Sequence, residues 1–194
     1  MKKQLNISWI VLTGIVLSLM SSCIFTNAFY FEKDLVDLPY FDGRWFLVNN
    51  STNTTDSLVK YEVERRAKGY YFVHWKGGNA EQFMQLHTFK LDEQIFVDAQ
   101  QVELNPATGA FNARLKVHTI WKYFLVDTSN FVVVNFNYDK VEDRLKDGKM
   151  KLQNTGDKGI FFVTAPTGEL QKFLIDFRDN NEIWGEAFNF VKTY

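Results

Sequence analysis

Three histidines, His74, His87 and His118, and a single cysteine, Cys23, are the side chains of widest chemical reach in this chain. Imidazoles that become neighbours in a sheet can hold a metal ion, but the spacing of these three matches none of the short motifs that gather metal ligands. Glu62 and Glu64 alternate onto one face of an extended segment, and that face is expected to be solvated. No Ser-His-Asp spacing and no glycine-rich phosphate loop is present. The expectation is therefore that the chain is not an enzyme, with no metal and no cofactor. The remaining polar groups suited to recognition are the phenols and indoles of an aromatic-rich chain, which join a large apolar surface to one hydrogen-bonding atom.

Cys23 has a specific context. Lys2 and Lys3 form a positive start, 9–20 is an apolar run shorter than the roughly 20 residues of a membrane-spanning helix, and small residues follow. Residues 1–22 thus read as an export signal. Leu19-Met20-Ser21-Ser22-Cys23 resembles a bacterial lipobox, in which cleavage precedes a cysteine that then carries acyl chains, with Met20 where Leu is usual. Thr26-Asn27-Ala28 offers the alternative, an ordinary signal-peptidase site that would release a secreted protein with no cysteine. The chain's one cysteine stands where lipidation requires it, which favours the first reading. Two or more acyl chains, at about 0.8 kcal/mol per buried CH₂, would hold the domain at a membrane. The expected location is the cell envelope, lipid-anchored, at the outer membrane if the source is Gram-negative.

The chain has 194 residues, 46% of them hydrophobic and 16% aromatic, and its 22 basic and 23 acidic residues nearly cancel. That size implies one domain, and that charge leaves no basic footprint for nucleic acid. Residues 23–36 read as a linker and lid, and 37–194 as the folded domain, expected to be a monomer. Within it, 43–50, 58–65, 69–76, 81–91, 95–104, 111–119, 120–127, 131–139 and 159–164 are short, aromatic or β-branched, and separated by turn signals such as Lys68-Gly69 and Gly77-Gly78-Asn79. Thr167 can cap a helix in which Leu170, Phe173, Leu174 and Phe177 share one face, ending near Arg178. Residues 182–191 make a closing strand. The loop after strand one carries two Asn-x-Ser/Thr sequons, at Asn50 and Asn53, read as a polar loop at the barrel mouth.

These residues carry a resemblance to the lipocalins. Asp37 to Val48, with Gly43-Arg44-Trp45, looks like the family's first signature, and Asp127-Thr128-Ser129-Asn130 resembles the second, with Thr128 kept and Ser129 and Asn130 where Asp and Tyr are usual. The resemblance places 159–164 and the helix after it at the family's last barrel strand and C-terminal helix. It departs in lacking the third signature's Arg, which stacks on the strand-A Trp. Thr164 and Ala165 stand there, and Arg178 or Arg44 are the candidates to replace it. Nine strand segments precede the helix where the family has eight.

The resemblance implies an all-β, antiparallel up-and-down barrel of 8–10 strands with one C-terminal helix, Trp45 at its base, and a small hydrophobic ligand inside. The ligand would be of fatty acid or lysophospholipid type. Alternation then sends Tyr61, Val63, Tyr71, Val73, Trp75, Val97, Leu115, Val117, Trp121, Tyr123 and Leu125 inward. All of these except Val63 and Leu125 are the expected ligand contacts. The alternatives are a lipoprotein whose barrel is filled by its own aromatics, and a haem-binding relative using one histidine.

Overall fold

A computed structural model describes residues 23–49, 54–104, 111–113, 117–157 and 160–192. In chain order the elements are β1 (Cys23–Phe25), a 3-10 turn (Glu32–Asp34), β2 (Gly43–Asn49), β3 (Thr54–Ala67), β4 (Tyr70–Gly77), β5 (Ala80–Leu91), β6 (Gln94–Leu104) and β7 (Phe111–Ala113). They continue with β8 (Thr119–Asp127), β9 (Asn130–Phe136), α1 (Tyr138–Lys146), β10 (Asn154–Asp157), β11 (Ile160–Val163), α2 (Thr167–Asp176) and β12 (Trp184–Lys192).

Eight of these strands close on themselves. β2, β3, β4, β5, β6, β8, β9 and β12 each pair antiparallel with the next, and β12 returns to β2, so the barrel leaves no open edge. The architecture is the expected lipocalin-like up-and-down barrel. β7 adds only a short stretch beside β6.

The turns follow local chemistry. Gly69 closes β3 to β4 at φ +63°, and a Cβ there would lie 2.8 Å from the Thr88 carbonyl. At β8–β9, the Asp127 carboxylate accepts from the Ser129 backbone N–H at 2.7 Å and the Asn130 amide at 2.9 Å, an Asx-type turn that holds Asp127 below the usual carboxylate range. Thr128 sits exposed in this turn.

Four expectations are corrected. Residues 159–164 do not form a barrel wall: β11 belongs to a separate three-stranded sheet, β1-β11-β10, in which β1 pairs parallel with it. β12 is the eighth barrel strand, so the chain leaves the barrel after β9 and re-enters it at Trp184. The segment 131–139 ends at Phe136 and gives way to α1, where Asn137 Oδ1 accepts from the Lys140 N–H and Tyr138, Val141, Glu142 and Leu145 form the buried face. Glu142 is the polar member of that face, pairing with Lys146, and it disguises the helical period. Thr167 does not cap α2; its hydroxyl donates to the Ala28 carbonyl at 2.9 Å, and Pro166 stands at the cap position.

The fourth correction concerns 23–36. This segment is no linker: Phe25 and Phe29 are fully buried. It runs down the outside of the barrel, bridging at Phe25 to His118 and at Leu35 to Phe89, before 36–41 crosses the barrel base. Phe25 and Phe29 join Phe89, Phe96, Ile120 and Phe136 from the barrel's outer face, Val141 of α1, and Leu170, Phe173 and Leu174 of α2 in one core. The apolar face of α2 packs outside the sheet, as its spacing implies. A second core fills the barrel.

Candidate functional site: a cavity in the barrel

The lower half of the barrel is filled. Phe41 stands edge-on to Tyr71, Tyr123 and Phe131, with ring centroids 5.0, 5.8 and 5.3 Å away. The Tyr71 hydroxyl accepts from the Leu38 N–H at 2.7 Å, stitching the crossing segment to the floor. Asp37 anchors the same segment through Arg65 at 2.8 Å and the Gly69 N–H at 2.9 Å; the Arg65 contact foremost holds its carboxyl below its ordinary range. Burial drives the Tyr71 and Tyr123 hydroxyls upward. Both tyrosines face inward as expected, but they belong to this floor and do not line open space.

Trp45 caps the floor. Its indole nitrogen donates to the Phe41 carbonyl at 2.8 Å and its ring meets Phe131 at 4.5 Å. The cation over it is Lys192, whose Nζ lies 5.2 Å from the ring centroid and donates to the Tyr40 carbonyl at 2.8 Å. Neither suggested arginine does this. Arg44 sits by Glu62, and Arg178 by Asp92 and Asp179. Gly43 explains the first signature: its φ is +127°, and a Cβ there would come within 2.7 Å of the Lys192 chain.

Above Trp45 the barrel is hollow. A cavity of about 230 Å³ opens toward the end that carries the β4–β5 turn. This is several times the ~30 Å³ share of one water molecule and just below the ~300–1,000 Å³ of most small-molecule sites. Of the expected contacts, Tyr61, Val73, Trp75, Val97 and Trp121 line it, together with Val63 and Trp45. Val117 is half-buried ahead of β8 and is not in the lining. Leu115 lies outside the described residues, as do Asn50 and Asn53. Leu125 is 45% exposed, because the β8–β9 hairpin runs past the floor and its register shifts there.

Sequence reasoning missed the other half of the wall. Met84 and Leu86 of β5, Phe131 and Val133 of β9, and Phe188 and Phe190 of β12 also line the cavity. The period-two signal was present in each of these strands. β12 is the expected closing strand of 182–191, for which the sequence reading names no inward residues. The rim adds Gln82, Thr119, Asn135, Tyr138 and Glu186, the last being the one charged residue among the described lining.

The rim also carries two anomalies. Trp75 Nε1 and Asn135 Oδ1 are buried without a hydrogen-bond partner, in a class of group that is nearly always satisfied. Glycines back both side chains: a Cβ at Gly77 would meet the Trp75 ring at 2.8 Å, and one at Gly185 would meet Asn135 Oδ1 at 2.2 Å. Gly185 lies where the pairing of β12 with β9 slips, a bulge that re-aims the strand beside the site.

All three histidines lie on the barrel's outer face, and two of them flank one carboxylate, since His87 stands across β5 and β6 from Asp98, the partner of His118. His74 pairs with Glu81 at 3.1 Å, and His87 is stacked between Tyr30 and Tyr70 at 4.6 and 5.0 Å. His118 Nδ1 lies 2.8 Å from the buried Asp98 carboxylate. The nitrogen facing Asp98 must carry the proton, leaving Nε2 to accept from Gln100 at 2.8 Å. Asp98 also accepts from the Phe29 N–H at 3.1 Å, so this network fastens the N-terminal segment. Glu62 and Glu64 face outward toward Lys60 and Arg66. No group of three metal-ligating side chains occurs among the described residues.

No known protein family, curated protein or solved structure matches this chain; the closed eight-stranded antiparallel barrel is compatible with a lipocalin-like fold.

Proposed function

We propose that the protein binds and carries a small, single-chain hydrophobic ligand inside its barrel, and that it does so as an exported protein anchored by acyl chains on Cys23. The observation that carries the binding reading is the cavity: about 230 Å³, walled mostly by valines and aromatic rings, with Gln82, Thr119, Asn135 and Glu186 among its polar lining. Burying hydrocarbon there at roughly 25 cal/mol per Å² supplies the affinity, and the rim orients the polar end.

Native mass spectrometry of the purified protein tests this, together with displacement of the neutral fluorophore N-phenyl-1-naphthylamine. Co-purified lipid or probe displacement is expected, and Val133→Trp, which fills the cavity, should abolish it while the far-UV spectrum persists. A clean apo mass with no probe binding would remove the carrier reading and favour the filled-barrel lipoprotein.

The packing of 23–28 supports cleavage before Cys23 over cleavage after Ala28. The later cut would remove β1 and with it Phe25, which is fully buried. Phe25 bridges to His118, next to the rim residue Thr119, so an anchor at Cys23 would hold the open end of the barrel near the bilayer. Metabolic labelling with an alkynyl palmitate should mark the protein and fail on Cys23→Ser. A labelled Cys23→Ser variant would sink the anchor.

A further inference from the structure

Resting on that reading, we infer that the ligand's polar end is an uncharged, hydroxyl-bearing ester head of the monoacylglycerol type, and not the carboxylate of a free fatty acid. The argument starts from the two unpartnered atoms at the rim. Trp75 lies on β4 and Asn135 on β9, and in the closed order β2-β3-β4-β5-β6-β8-β9-β12 these strands stand four steps apart in either direction. One wall therefore presents a buried donor, Trp75 Nε1, and the opposite wall a buried acceptor, Asn135 Oδ1. Each unmet atom has lost its water without gaining a partner, and a ligand that reaches both makes good that loss.

The charges sharpen the choice. Glu186 stands beside Asn135, since Ala187 pairs with Val134 across β12 and β9. The Asn135 side of the mouth is thus rich in acceptors and negative, and the described lining contains no Lys, Arg or His to pair with an anion. A carboxylate has no proton to give Asn135 Oδ1 and is repelled by Glu186. An ammonium can donate on that side but cannot accept from Trp75. A glycerol ester does both: its carbonyl oxygen accepts from Trp75, and its hydroxyls donate to Asn135 and Glu186. The single acyl chain descends between Val73, Val97 and Val133 toward Trp45, which fits a cavity of this modest volume.

The test is competition of monolaurin, laurate and dodecylamine, matched in chain length, against N-phenyl-1-naphthylamine on the purified full-length protein at neutral pH. Monolaurin should compete about tenfold more strongly than either charged analogue, the gain of one well-made hydrogen bond at each wall less its ordering cost. Trp75→Phe keeps an aromatic ring at the site and removes the donor, so it should lower monolaurin affinity several-fold. Glu186→Gln should strengthen laurate and leave monolaurin nearly unaltered. Equal competition by monolaurin and laurate, or a Trp75→Phe variant that binds monolaurin as the wild type does, overturns the neutral-head inference while the carrier function stands. Probe that binds the wild type and is displaced by none of the three also overturns it, and failure of the probe itself to bind takes down the carrier reading beneath it.

Discussion

The barrel interior and the core outside it are built from the same residue types, yet they are finished differently. Outside, aromatic rings interlock: Phe136 meets Phe25, Phe173 and Trp184 edge-on, with centroids 6.0, 5.7 and 5.1 Å apart. Its polar members are paired. Asp98 serves Phe29 and His118, Lys122 donates to the Arg178 carbonyl over the Trp184 ring, and Trp184 Nε1 donates to the Phe177 carbonyl at 3.1 Å. Inside, a void remains, and both unpartnered buried side-chain atoms among the described residues line it. Among the described residues the polar groups named for the outer core are paired, whereas the inner core keeps a cavity with an unpartnered atom on each of two opposite walls. A local failure of polar satisfaction in an otherwise consistent structure is where function is to be sought.

The largest test of this contrast is truncation on either side. Phe136→Ala should cost about 3–5 kcal/mol, because a fully buried ring leaves a cavity its rigid neighbours cannot fill. Phe188→Ala, on the cavity wall and only partly buried, should cost clearly less, since that ring already lacks partners on one side. Chemical denaturation of the two variants gives the comparison, and equal losses would show that the void is not empty in solution.

Polar truncation comes next. Asp98→Ala strands His118 Nδ1 and the Phe29 N–H together and should cost about 2–4 kcal/mol, with the 23–36 segment becoming sensitive to protease. Trp75→Phe leaves no hydrogen-bond partner stranded, so only the lost ring volume counts, and the ligand-free protein should lose about 1–2 kcal/mol, less than with Asp98→Ala. A large loss on Trp75→Phe would mean that the indole nitrogen is already satisfied and that the rim is as finished as the outer core.

What the sequence disclosed divides along the same line. Alternation from Trp45 and Val63 assigns Tyr61, Val73, Trp75, Val97 and Trp121 to the interior because those strands pair with near neighbours and keep their register. It fails where contacts are remote. β11 resembles a barrel strand in composition, but its partner β1 lies far upstream, and no local pattern announces a parallel pairing of that separation. The base cation was sought among arginines near a familiar motif position, while Lys192 arrives from the last strand. The unpartnered atoms of Trp75 and Asn135 were invisible for a simpler reason: a missing hydrogen bond is a property of three-dimensional neighbours, and sequence names only the groups.

A smaller effect probes the barrel's closed end, where the inner core meets the crossing segment. Lys192→Met keeps the alkyl stem that lies against Gly43 but removes the ammonium from Trp45 and from the Tyr40 carbonyl. The expected loss is about 0.5–1 kcal/mol for the exposed cation–π contact, read as a lower melting temperature with unchanged ligand affinity. Altered affinity would mean that the floor and the cavity are coupled.

The mildest prediction concerns acid, and it belongs to the outer core. His87 is stacked between Tyr30 and Tyr70, and burial lowers its pKa below the ordinary value, with Asp98 partly opposing the shift. The unfolded chain then takes up a proton near pH ~6.5 while the native protein still resists it. Stability is therefore flat with respect to this group above that pH and falls as the pH drops below it, by at most about 1.4 kcal/mol per pH unit, until the native imidazole also protonates. His87→Phe preserves the stack and cannot titrate, so the difference between wild-type and variant denaturation curves across pH 7 to 5 isolates the effect. Because His87 holds Tyr30, the acid-induced loss should appear first as loosening of the N-terminal segment, while ligand affinity inside the barrel holds. A parallel fall in affinity would join the two regions that the structure keeps apart.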